Sequence, residues 1–242
     1  MNVEVIEKGY SGFPGRWIGG IALMIAPLLH FIGVLLRLPF HFFFPEQLAA
    51  FKDHQGLIAA SYSTFAAGNV LMWPAILTLV KLINAKRPGW ALWGGVFAIF
   101  GLFARTFHAG VDHLAFQLVR SQGLELAAKA VADSYGAFHI FSTLNLAILL
   151  GWIVLAIGAF RSGTFGFIRA IALGLMAALP LGVLKGTTSF SVAAAAGLCI
   201  ALVPLGIQVL GSGPAPSLRA ALIWGFLVAA GGSVFYYLGQ QG

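Results

Sequence analysis

The chain has 242 residues, of which 60% are hydrophobic and 9% charged, with a mean hydropathy of +0.93 and a formal charge of +7. An ordinary soluble domain carries charge on roughly a quarter of its residues, so this composition excludes one and points to a bilayer. The Lys and Arg residues are spread over segment ends rather than gathered in a patch, which argues against nucleic acid as a partner and for membrane lipids.

Apolar runs bounded by charge, glycine or proline predict an all-α polytopic membrane protein. The expected fold is a seven-transmembrane-helix bundle with a short interfacial element between helices 1 and 2. Spans fall at about 17–38, 56–82, 90–112, 136–160, 166–184, 189–210 and 217–238, each long enough for the ~20 residues that cross hydrocarbon. One integral membrane domain over residues 1–242 is expected, and its 31 glycines suit close helix approach. The opening MNVEVIEKGYSGFPG holds acids, glycines and a proline before any apolar run. It is therefore not expected to be a cleavable signal.

Span one carries His30 and, seven residues on, Arg37. The following LPFHFFFPEQLAAFKDHQG reads as an interfacial element, with His41 and Glu46 as its candidate lid and His54 at the mouth of span two. Asp53 has the chemistry of a helix cap. Within span two, Tyr62, Asn69 and Trp73 nearly share a face. Span three places Arg105, His108 and Asp112 at i, i+3 and i+7, which is one stripe of a helix. Arg105 lies mid-span, where lipid exposure is costly, so Asp112 is its natural partner, directly or through water or substrate. LAFQLVRSQG should extend span three beyond the membrane, and LELAAKAVADSY should form a surface helix.

Span four supplies His139, Ser142 and Asn145, with Asp133 and Tyr135 before it. His139 is expected to meet the span-three stripe in one cavity. Spans five to seven carry almost no ionisable groups and read as a packing scaffold, tolerant of apolar exchange at Leu181 or Ala196. Pro180 and Pro204 are candidate kinks, and Trp224, Tyr236 and Tyr237 candidate interface anchors. The lone Cys199 excludes an internal disulfide and a four-cysteine metal site.

Eight basic residues flank the N-terminal side of this layout (Lys8, Arg16, Lys81, Lys86, Arg87, Arg161, Arg169, Arg219) and five the other (Arg37, Lys52, Arg120, Lys129, Lys185). That bias predicts a cytoplasmic N-terminus and an outside C-terminus in a plasma (inner) membrane. All six histidines then gather toward the extracytoplasmic side, as do Glu46, Asp53, Asp112, Glu125 and Asp133.

No HExxH or paired-cysteine signature is present, so a metal would need ligands from several helices. His108 and Asp112 with His30, His54 or His139 would suit zinc or non-haem iron. His30, His108 and His139 are candidate axial ligands of a b-type haem. Span seven has no lysine for a retinal Schiff base, which sets microbial rhodopsins aside. No histidine follows His139, which sets aside the ceramidase-like seven-helix hydrolases.

The leading expectation is an integral membrane enzyme acting on a lipidic or isoprenoid-like substrate. His108, Asp112 and His139 would transfer protons or bind a metal, and Arg105 would stabilise an anionic group. His30 and His54 are the candidate cofactor-binding residues. A His-gated transporter or sensor and a b-type haem electron carrier are the alternatives.

Overall fold

The computed structural model describes residues 12–134, 137, 139–180 and 182–241. Every regular element among them is helical, and six helices are long and apolar enough to cross a membrane. The described residues form two compact units that part at Leu210–Gly211. The expectations that concern Lys8, Tyr135, Leu181 and Gly242 lie outside the described residues.

The first unit opens with α1, Gly15–Arg37, 23 residues of apolar chain that keep Pro27 in their interior. Next comes α2, Phe44–Asp53, with proline in its first turn. It buries Leu48 and Phe51 and stacks Phe51 on Phe116 at 4.5 Å. This is the expected short element between the first two spans. Helix α3, Gln55–Asn84, packs on α1 and ends before the Arg87–Pro88 step.

Helix α4, Pro88–Gln122, fuses the expected third span and its extension into 35 residues, about 52 Å at 1.5 Å per residue. Gly123, at φ 87°, ends it with a backbone angle that glycine adopts without a Cβ clash. The surface helix follows as α5, Leu124–Ser134. The fourth span starts later than expected, as a 3-10 turn at Ile140–Leu144 followed by α6, Asn145–Arg161. Helices α4 and α6 touch along small residues. A side chain at Gly151 would collide with the backbone of Ala98. Without a hydrophobic driving force between helices in lipid, such close backbone approach is what joins them.

The continuous fifth helix expected over 166–184 is not found. Helix α7, Phe167–Gly174, gives way to a 3-10 turn at Leu175–Ala178. At 1.5–2 Å per residue these twelve residues reach only ~20 Å, against ~30 Å of hydrocarbon. The described residues of 179–188 are not helical. Pro180 and Gly182 sit there, the first lacking an N–H and the second at φ 125°. The segment begins where Arg87 Nε donates to the Arg161 carbonyl. It ends where the Gly186 N–H donates to the Phe42 carbonyl. It therefore runs from one end of the bundle to the other, half as helix and half as irregular chain.

Helix α8, Ser189–Gly211, then returns. Thr188 and Ser191 cap it reciprocally, each hydroxyl accepting from the other's backbone N–H at 3.3 and 3.1 Å. Around Met72, Ile76, Leu79, Leu102, Ile148, Trp152, Leu198 and Leu202 the helices of this unit share a fully buried apolar core. The second unit holds α9, Leu218–Gly239, capped by Ser217 Oγ accepting from the Ala220 N–H at 3.2 Å.

Candidate functional site

The stripe on α4 faces inward as a unit. Arg105, His108 and Asp112 are 7%, 6% and 7% exposed, and all three line one cavity of about 50 Å³. A water needs ~10–15 Å³ of such space, so this cavity admits a few waters or one small anionic group, and no acyl chain.

Their partners differ from those expected. Arg105 donates from its two terminal nitrogens to the carbonyls of Leu179 and Pro180, each at 3.3 Å. Asp112 accepts from the Leu184 backbone N–H at 2.5 Å. Among the described residues the two side chains form no direct ion pair, and each turns to main-chain atoms instead. The reason lies in the broken fifth span. Its non-helical backbone leaves carbonyls and an N–H without helical partners, and inside a membrane protein such groups must be satisfied by neighbours. Asp112 holds Leu184 in a left-handed conformation, φ 50°, rare for a leucine and costing about 1 kcal/mol or more.

The α1 and α3 walls add what the sequence did not reveal. Arg37, in the last turn of α1, is 6% exposed. Its guanidinium carbon lies 4.3 Å from the Tyr62 ring centre and 5.0 Å from that of Phe65. One terminal nitrogen donates to the Lys185 carbonyl at 3.4 Å. Arg105 approaches the same Phe65 ring at 6.0 Å. The Tyr62 hydroxyl lies 3.1 Å from Gln47 Oε1 and 3.3 Å from the Lys185 carbonyl, and Gln47 in turn donates to the His41 carbonyl. Arg37, Arg105 and Lys185 line the cavity together with Asp112, and the Lys185 ammonium lies 5.5 Å from the Phe42 ring centre. Three buried polar atoms of lining residues have no hydrogen-bond partner: Arg37 Nε, Arg105 Nε and Thr187 Oγ1.

His139 comes near but belongs to a different space. It precedes the 3-10 turn in extended conformation, φ −142°, so it shares no helical stripe with Ser142 and Asn145. Ser142 and Thr143 instead donate to the carbonyls of His139 and Ile140, at 2.7 and 2.6 Å. The His139 ring sits 6.2 Å from His108 and 4.5 Å from Phe107. It lines a second, apolar cavity of about 320 Å³ with Phe107, Val111, Leu114, Leu118 and Val183.

The other candidates are dispersed. His30 is 1% exposed, shares Nδ1 with the Ala26 carbonyl at 3.0 Å and meets Phe65 edge-on. His54 is exposed at the start of α3, beside Phe40. Eleven residues of α3 separate it from Phe65, about 16 Å along the axis, so these two histidines do not share a site. His41 and Glu46 are exposed, as is Asp133. Asn69 donates across to the Leu102 carbonyl and Thr106 Oγ1, clamping α3 to α4, and Trp73 packs on Phe103. Tyr62 alone of that wall reaches the polar cavity. Among the described residues no three His, Cys, Asp or Glu side chains are grouped to hold a metal.

The scaffold expectation for spans five to seven is also revised. Leu179, Pro180, Gly182, Lys185, Gly186, Thr187 and Ser191 all line the polar cavity. Lys185, Pro180 and two glycines inside an apolar run are the sequence signal for this. Comparison with protein-family models, curated proteins and solved structures finds no match to this chain.

Proposed function

We propose that the protein is an integral-membrane enzyme acting on a lipidic substrate that carries an anionic group, held in the Arg37–Arg105 cavity. One observation carries this reading: two buried guanidiniums share a small cavity, and among the described residues neither is paired with a carboxylate. An unpaired buried charge is costly, and arginine matches carboxylate and phosphate oxygens bidentately. Arg37 and Arg105 bind the anion, and Tyr62 and Thr187 complete its surroundings. His108, on the same wall, moves a proton to or from the atom beside it. Asp112 acts at one remove by holding the Leu184 backbone.

Purified protein in lipid nanodiscs should bind radiolabelled orthophosphate saturably. It should also convert at least one member of a panel of single-chain lipid carboxylates, sulfates and phosphates, followed by mass spectrometry. His108→Gln should stop conversion and leave orthophosphate binding intact. Binding without conversion by the unaltered protein overturns the enzymatic part. A transporter or sensor is then the reading that stands, favoured by the interrupted segment 167–188 packed against the site. Broken helices of this kind form binding sites at mid-membrane in transporters.

We place the N-terminus in the cytoplasm and the C-terminus outside, in the plasma (inner) membrane. The segment 167–188 serves as an interrupted fifth crossing, so seven passages separate the termini. In a Cys199→Ala background, Arg161→Cys and Ser189→Cys should react with an impermeant maleimide from opposite faces. Reaction from one face removes the fifth crossing and puts the termini together.

A further inference from the structure

The polar cavity and the apolar one are back to back. Three pairs of sequence neighbours straddle the partition between them: Phe107 and His108, Val111 and Asp112, Val183 and Gly182. In each pair the first residue faces the apolar space and the second the polar one. The His108 and His139 rings, 6.2 Å apart, stand on the two sides of this partition. The apolar cavity also opens sideways. Leu114 on its wall is 59% exposed on the flank of α4, so the groove is open on that side.

Resting on the anion-binding reading above, the geometry points to a substrate class: a single-chain lipid phosphate monoester. We infer that its phosphate occupies the Arg37–Arg105 cavity and its chain the groove of Phe107, Val111, Leu114, Leu118 and Val183. Two features select phosphate over a fatty-acid carboxylate. Arg37 and Arg105 bring two guanidiniums to the cavity, and a phosphate monoester carries about −1.5 to −2 at neutral pH, where a carboxylate carries one negative charge. A phosphate monoester also presents three terminal oxygens to the two guanidinium forks, where a carboxylate presents two. The groove selects one chain by its volume, about 320 Å³, beside a polar cavity that excludes chain altogether.

The test is displacement of radiolabelled orthophosphate from the full-length protein in nanodiscs. Competitors are dodecyl phosphate, methyl phosphate and dodecanoate. Dodecyl phosphate should displace at a concentration lower by about tenfold or more, a 1.4 kcal/mol preference. Val111→Phe and Leu118→Trp, made separately, fill the groove from different positions. Each should erase the advantage of dodecyl phosphate while methyl phosphate displaces as before. Bilayer partitioning is the same in all three proteins, so it cannot mimic that loss, and retained methyl phosphate binding certifies the fold. Equal potency of dodecyl and methyl phosphate overturns the inference. So does an advantage that survives both groove variants, or a dodecanoate that competes as well as the phosphate. In those cases orthophosphate still binds and the anion-binding reading stands. Absence of orthophosphate binding in the unaltered protein removes both.

Discussion

Arg105→Gln should weaken orthophosphate binding by about 100-fold or more while leaving the thermal midpoint of the free protein unchanged or higher. Removing one partner of a buried, hydrogen-bonded charge pair costs roughly 2–5 kcal/mol, and each 1.4 kcal/mol is a factor of ten. The free protein gains instead, because a buried cation without a carboxylate is replaced by a neutral group. The glutamine amide still donates toward the Leu179 or Pro180 carbonyl that Arg105 holds. Arg37→Gln should act in the same direction, since its guanidinium lines the same cavity and lies against the same Phe65 ring. Equilibrium dialysis and thermal unfolding of one preparation separate the possibilities. A lowered midpoint with unaltered binding would mean that the two arginines only brace the non-helical stretch 179–188.

Asp112→Ala is expected to loosen the stretch 179–188, and Asp112→Asn to leave it ordered. The carboxylate accepts from the Leu184 N–H, and deleting it strands a buried donor at about 1–3 kcal/mol. Asparagine retains an oxygen in that place. Hydrogen–deuterium exchange over the peptide 179–188 should therefore rise in the alanine variant and stay near the parent in the asparagine one. An ion pair with Arg105 predicts otherwise. Neutral asparagine would then also cost about 3–5 kcal/mol, the penalty for breaking a buried pair. Equal loss in both variants would restore the pair and displace the backbone anchor.

The six continuous spans were legible because bilayer thickness imposes a length and an apolar composition that survive in any sequence. The α4 stripe was legible for a similar reason. A period of 3.6 residues fixes which side chains share a face, and Arg105, His108 and Asp112 do share a cavity wall. What each side chain touches was not legible. Arg105 and Asp112 both turn to main-chain atoms of 179–184, and main-chain atoms carry no residue code. His139 was misread because Ile140–Leu144 forms a 3-10 turn, which removes the helical phase that placed it on a stripe. Arg37 looked like a terminal basic residue of the kind that sets orientation. Its burial depends on Tyr62, Phe65 and Lys185, brought to it from α3 and the interrupted segment.

The grip of α4 on main-chain atoms also bears on how this region tolerates evolutionary change. A carbonyl or an N–H is present whatever side chain accompanies it, Pro180 included as an acceptor. Side chains along 179–184 can therefore drift without touching these bonds, provided the left-handed turn at Leu184 is kept. Adding or deleting one residue would shift every main-chain atom by about 3.3 Å and present the wrong group to both Arg105 and Asp112. Length, rather than identity, is the conserved quantity to seek when distant relatives of this stretch are aligned.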